Sequence, residues 1–86
     1  MPFNYTTISR KAKAALKSAF PEAAIETEKQ FAGRVHVKIV SPEFNGKRDE
    51  TKQTMVWDVL RDKLSADPDL LGISLVVVYG MDELLG

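Results

Sequence analysis

The sequence predicts a small α+β domain with helices packed on one face of a three-stranded sheet. Apolar residues recur at the helical period over 7–20 and again over 49–66. They alternate at period two, or run continuously, over 23–29, 34–40 and 73–79. The resulting order is α-β-β-α-β, with no repeat, low-complexity tract or linker, so residues 1–86 are read as one domain. One helical layer on a mixed sheet is the simplest arrangement that buries every stripe.

In the first helix, Ile8, Ala12, Ala15, Leu16, Ala19 and Phe20 share one face. Thr6 or Thr7 is placed to cap it through a hydroxyl, and Pro21 disfavours helical geometry at Phe20 and ends it. Arg10, Lys13 and Lys17 lie along the exposed side. The first strand sets Ala23, Ile25 and Thr27 against Ala24, Glu26 and Glu28, one face mildly apolar and the other mostly acidic. After the loop Gln30–Gly33, the second strand puts Val35, Val37 and Ile39 on one face and His36 and Lys38 on the other, which suggests a hairpin. Turn formers Pro42, Asn45 and Gly46 mark the next loop. Asp49 favours the start of the second helix, whose stripe is Met55, Val56, Val59, Leu60 and Leu64 with Trp57 at its edge. Asp67-Pro68-Asp69 ends that helix. A β-α-β connection through it makes the second and third strands parallel if they share a sheet. Met81–Leu85 is long enough only for a terminal turn.

Composition excludes several chemistries. There is no cysteine, so there are no disulfides, thiolate metal sites or Cys nucleophiles. One histidine cannot make a His-rich metal site. No apolar run nears the roughly 20 residues of a membrane helix, and Met1–Tyr5 lacks the pattern of a signal peptide, so a cytoplasmic protein is expected. Glu26/Glu28 and Asp67/Asp69 have no nucleophile or base beside them, and Ser41 has no G-x-S-x-G setting, so no catalytic residues are assigned. The formal net charge is zero, but it is a cancellation: residues 1–48 hold nine basic and four acidic groups, net +5, and residues 49–86 hold three basic and eight acidic, net −5.

The break falls at Val37-Lys38-Ile39-Val40-Ser41-Pro42-Glu43-Phe44-Asn45-Gly46-Lys47. There Phe44 reads as an apolar plug in a polar turn, and Gly46 as a residue that permits positive φ or a close helix approach. Lys47 and Arg48 stand near a helix N-terminus as a donor-rich spot for an anion. The plainer reading is a strand-to-helix connection.

This segment resembles the BolA family's strand and V-S-x-x-F-x-G-K loop, and the element order resembles the type II KH-like arrangement. Met55-Val56-Trp57-Asp58-Val59-Leu60 is similar to the family's L-V-Y-x-x-L-like run, Ile73-Ser74-Leu75-Val76 to its A-L-A-L, and Phe20-Pro21-Glu22-Ala23 to its F-P-x-A. The likeness spans about residues 8–84. It implies iron–sulfur cluster handling with a monothiol glutaredoxin, or transcriptional regulation. The family's cluster histidine falls at Gln53, between Lys52 and Thr54. The loop Lys29–Arg34 carries no His or Cys, and Gly72 stands where a further His is common. An amide is a poor iron ligand. No cofactor is therefore assigned, and a cluster shared with a glutaredoxin is disfavoured. His36 is left as a lone candidate ligand, more simply read as a solvent-facing strand residue.

The expected function is a non-enzymatic adaptor or regulator that contacts a protein, with a monothiol glutaredoxin one candidate partner. The contact residues proposed are Ser41, Phe44, Gly46, Lys47, Arg48, Lys52 and Gln53. The alternative is a nucleic-acid-binding regulator using the basic loop and the first helix (Arg10, Lys11, Lys13, Lys17), although none of the glycines forms the GXXG of a KH domain. The last strand is apolar on both faces. It either self-associates or binds a protein, or the tail Leu84-Leu85 folds over it.

Overall fold

The computed structural model describes residues 3–85. Met1 and Pro2, part of the segment read for a signal peptide, lie outside them. Helix α1 (Tyr5–Ala19) is capped by Asn4, whose Oδ1 accepts from the Thr7 N–H at 3.0 Å. Thr6 and Thr7 are already inside the first turn, so the cap sits two residues earlier than the hydroxyls suggested. The helix ends before Pro21, with Phe20 as its C-terminal cap.

Strand β1 (Ala24–Lys29) pairs antiparallel with β2 (Val35–Val40), and β2 pairs parallel with β3 (Ile73–Tyr79), in the order β1-β2-β3. Helix α2 (Asp49–Lys63) joins β2 to β3. It stops short of residue 66 because Ala66 turns to a left-handed φ of 63°. Asp67 then opens a 3₁₀ turn over Pro68–Gly72 by accepting from the Asp69 N–H. The chain finishes in a short helix, α3 (Met81–Leu85). The fold is α+β, a three-stranded open sheet with α1 and α2 over one face.

The core lies between that face and the helices. Ile8 and Leu16 from α1 and Val56 and Leu60 from α2 meet Val35, Val37 and Ile39 of β2 and Val76 and Val78 of β3. One register shift decides which side of β3 faces inward. Val35 pairs with Ile73, but His36 pairs with Leu75, leaving Ser74 as the extra residue. Simple alternation puts Ile73 with Leu75, Val77 and Tyr79. The irregularity at Ser74 instead turns Ile73 into the core with Val76 and Val78. Leu75, Val77 and Tyr79 are left on the open face.

A polar clip braces α1. Lys11 Nζ lies 2.8 Å from both Asp67 and Asp69, tying α1 to the turn before β3. Asp58 pairs with Arg61 of its own helix at 3.4 Å rather than with the basic side of α1. Among the described residues, no helix is long and apolar enough to cross a membrane.

Candidate interaction surface

The connection between β2 and α2 is built from the core outward. Ser41 is buried. Its N–H donates to the Tyr79 carbonyl at 3.1 Å, and its Oγ accepts from the Glu43 N–H at 3.2 Å. Pro42 starts a 3₁₀ turn over Pro42–Phe44. Phe44 is wholly buried, its ring 5.1 Å from that of Phe20 between centroids. The plug expected from the sequence is therefore real, and its consequence is that Phe44 and Ser41 position the loop from inside it. Gly46 takes a φ of 72°, which a side chain would resist, and this turn aims the following residues at the start of α2. Lys47 and Arg48 project into solvent, and among the described residues neither is in an ion pair.

Lys52 differs from the free cation the sequence suggested. Its side chain is only 3% exposed, with Nζ 3.1 Å from Asp49 Oδ1 and hydrogen-bonded to Glu83 Oε1. A buried ammonium needs such partners. The hydrogen bond to Glu83 is the main reason the Lys52 pKa is raised above its ordinary value. Glu83 is held below the usual carboxylate range, first by the Gly80 N–H at 2.9 Å and then by Lys52. Gln53 is also engaged: Nε2 donates to the Val76 carbonyl at 2.7 Å, and Oε1 accepts from the Trp57 Nε1–H at 3.1 Å. Its amide thus lies across the unpaired edge of β3, where it blunts a strand that would otherwise offer free backbone groups.

Helix α3 closes this end of the sheet. The Gly46 N–H donates to Asp82 Oδ2 at 2.9 Å, and the Asp82 N–H donates to Asn45 Oδ1 at 3.2 Å. Asp82 and Glu83 of α3 thereby meet Gly46 and Lys52, while Lys47 and Arg48, between those two in sequence, stay in solvent. The sequence reading missed Asn45, Asp82 and Glu83 as members of this site. A signal was present in Gly80-Met81-Asp82-Glu83, where a carboxylate three residues after the start can reach back to a free N–H.

His36 is elsewhere, on the open face of the sheet. Glu26, Glu28, His36, Lys38, Leu75 and Val77 line a shallow cavity of about 240 Å³ there. Glu28 and Leu75 flank His36 in register. Lys38 reaches the Tyr79 ring at 5.8 Å and Glu26 at 4.0 Å. Among the described residues, no three His, Asp or Glu side chains converge as a metal-ion site. Leu75 is 46% exposed, and Leu84, offered as its cover, is itself 54% exposed. The Leu85 side chain, the other half of that expectation, lies outside what is described. At the opposite end of the sheet from α3, Phe31 stands 92% exposed on the β1–β2 loop.

No family model, curated protein or solved structure significantly matches the chain.

Proposed function

We propose that this chain is a non-enzymatic, BolA-like adaptor that works in the cytoplasm by docking a protein partner on the 41–48 loop. Lys47 and Arg48 are the contacts, Ser41 and Phe44 hold the loop from within, and Gly46 sets its path. A monothiol glutaredoxin is one candidate partner. The resemblance brings it forward, while Gln53 at the cluster-ligand position and the absence of cysteine argue against a shared iron–sulfur cluster.

The supporting observation is how few cations the fold leaves free. A phosphate-binding surface would draw on Arg10, Lys11, Lys13 and Lys17 of α1 and on Lys47, Arg48 and Lys52 around the loop. Three of these seven are already engaged: Lys11 by Asp67 and Asp69, Lys17 by the Ala23 carbonyl, and Lys52 by Asp49 and Glu83. Four remain exposed and outside the ion pairs described, Arg10 and Lys13 on α1 and Lys47 and Arg48 at the loop, so the loop itself offers one adjacent pair, suited to a complementary protein patch more than to a length of nucleic acid.

The immobilised chain is to be challenged with native cytoplasmic extract. A retained protein is then purified and its affinity measured against Lys47→Ala/Arg48→Ala. The adaptor reading expects a shallow salt dependence, that of about two or three ion pairs, and about a tenfold loss in the variant, a typical effect of losing contact side chains worth about 1–2 kcal/mol. Retention of an oligonucleotide instead, with a steep salt slope that flattens in the same variant, would replace the adaptor by the nucleic-acid regulator.

A further inference from the structure

We infer that the loop corner is a carboxylate-binding site for an acidic segment of the partner, and that α3 is its built-in competitor. The inference rests on the adaptor reading and adds the partner's chemistry to it.

The structure displays the ligand class directly, because the site is occupied by the chain's own α3. Lys52 Nζ takes the Glu83 carboxylate, the Gly46 N–H takes the Asp82 carboxylate, and Asn45 Oδ1 takes a backbone N–H. Together these read two consecutive acidic residues and the backbone that carries them. Lys52 supplies a desolvated cation, where a charge-assisted bond is stronger than at an open surface. Lys47 and Arg48 flank the site with charge the occupant does not use.

The occupant is weakly held. Helix α3 has five residues, too few to be stable alone, and Met81, Asp82, Glu83 and Leu84 are all exposed. Among its described side chains little apolar surface is buried, and the contacts that hold them are the polar ones just named. The Lys52–Glu83 contact opens on a groove of about 390 Å³ along the outer side of β3, lined also by Gln53, Val76, Tyr79 and Asp49, the second carboxylate on Lys52. A partner bearing an Asp-Glu pair followed by apolar residues can displace α3 and continue along that groove. The tethered tail sets the threshold, since a competitor must outdo its high effective concentration.

The test uses the full-length chain and Asp82→Asn/Glu83→Gln, which loosens α3 while leaving the site intact. The probe is a fluorescein-labelled peptide with the sequence of residues 80–86, followed by anisotropy, with the Gly46 amide followed by NMR. The variant's Gly46 amide should shift toward a solvent-exposed value. If the tail fills the wild-type site about nine-tenths of the time, the variant should bind the peptide about tenfold more tightly. Peptide should then drive the Gly46 amide back. An unmoved Gly46 amide in the variant would overturn the inference, as would peptide affinities within twofold of each other or no binding to the loosened chain. A labelled single-stranded oligonucleotide, tested in parallel, also decides. Affinity gained for it and not for the peptide would mean the corner takes phosphate. If the peptide fails while a purified protein partner still depends on Lys47 and Arg48, the adaptor reading stands and only the acidic-segment inference falls.

Discussion

The two ends of the sheet are closed in opposite ways. At the β1–β2 loop end, the N-terminal segment is held by close backbone contact, beside a surface cavity of about 590 Å³ lined by Phe3, Tyr5 and Phe31. The Phe3 N–H donates to the Ala32 carbonyl at 2.7 Å, and Gly33, at a φ of 78°, lets the Phe3 backbone come so near that a Cβ there would lie 1.7 Å from its oxygen. At the other end, the C-terminal helix seals by charge, through Asp82 on Gly46 and Glu83 on Lys52. A contact between uncharged backbone groups responds little to salt or pH. A charged seal weakens with either and can be exchanged for another anion. This difference marks the 41–48 end as the place for a reversible contact.

The same contrast appears between the two lysine clips. Lys11 and Lys52 each hold two carboxylates, but Lys11 is 33% exposed and joins elements the core already fixes, whereas Lys52 is buried and its Glu83 partner comes from a loosely packed terminus. Lys11 staples, while Lys52 latches.

Perturbing each end separates them. Phe44→Ala should cost most, about 3–5 kcal/mol in chemical denaturation, because it empties a fully buried aromatic site beside Phe20. A loss near zero would mean the loop does not depend on its plug. Gly33→Ala should cost about 1–3 kcal/mol, since a side chain at positive φ is strained and must push Phe3 away. Hydrogen exchange should then quicken at the Phe3 amide while the Gly46 amide is unaffected.

Acid should open the other end first. Glu83 has a folded pKa below its ordinary 4.5, so its contribution is complete above pH 4.5 and is lost as pH falls through the lowered value. Lys52 has a folded pKa above 10.5, so its contribution is complete below pH 10.5 and is lost as pH rises through the raised value. The latch is thus whole between about pH 4.5 and 10.5. On acidification the Gly46 amide should shift before the Phe3 amide does. Simultaneous change at both would show that α3 is not an independent latch. Lys47→Ala/Arg48→Ala should change unfolding stability least, within about 0.5 kcal/mol, since both side chains are exposed and outside the ion pairs described.

Much of this architecture could be read from residue order. The bounds of β3, the burial of Phe44 and the positive φ of Gly46 follow from local pattern, because each depends on neighbours within a few positions. What escaped depends on pairing across the chain. The extra residue at Ser74 arises only when β3 is laid against β2, and it moves Ile73 from one face to the other. Lys52 reads as a solvated cation until α3, 31 residues further on, folds back onto it. The net +5 and −5 halves suggested a dipolar surface, whereas in the fold the two halves partly neutralise each other. Lys11 of the basic half holds Asp67 and Asp69 of the acidic half.

The most direct test of the account is an NMR footprint of the purified protein partner on this chain. It should perturb Gly46, Lys47, Arg48 and the α3 amides, leaving Phe31, His36 and Leu75 in place. A footprint centred on Phe31 or on the open sheet face around His36 and Leu75 would contradict it and move the interaction surface away from the loop.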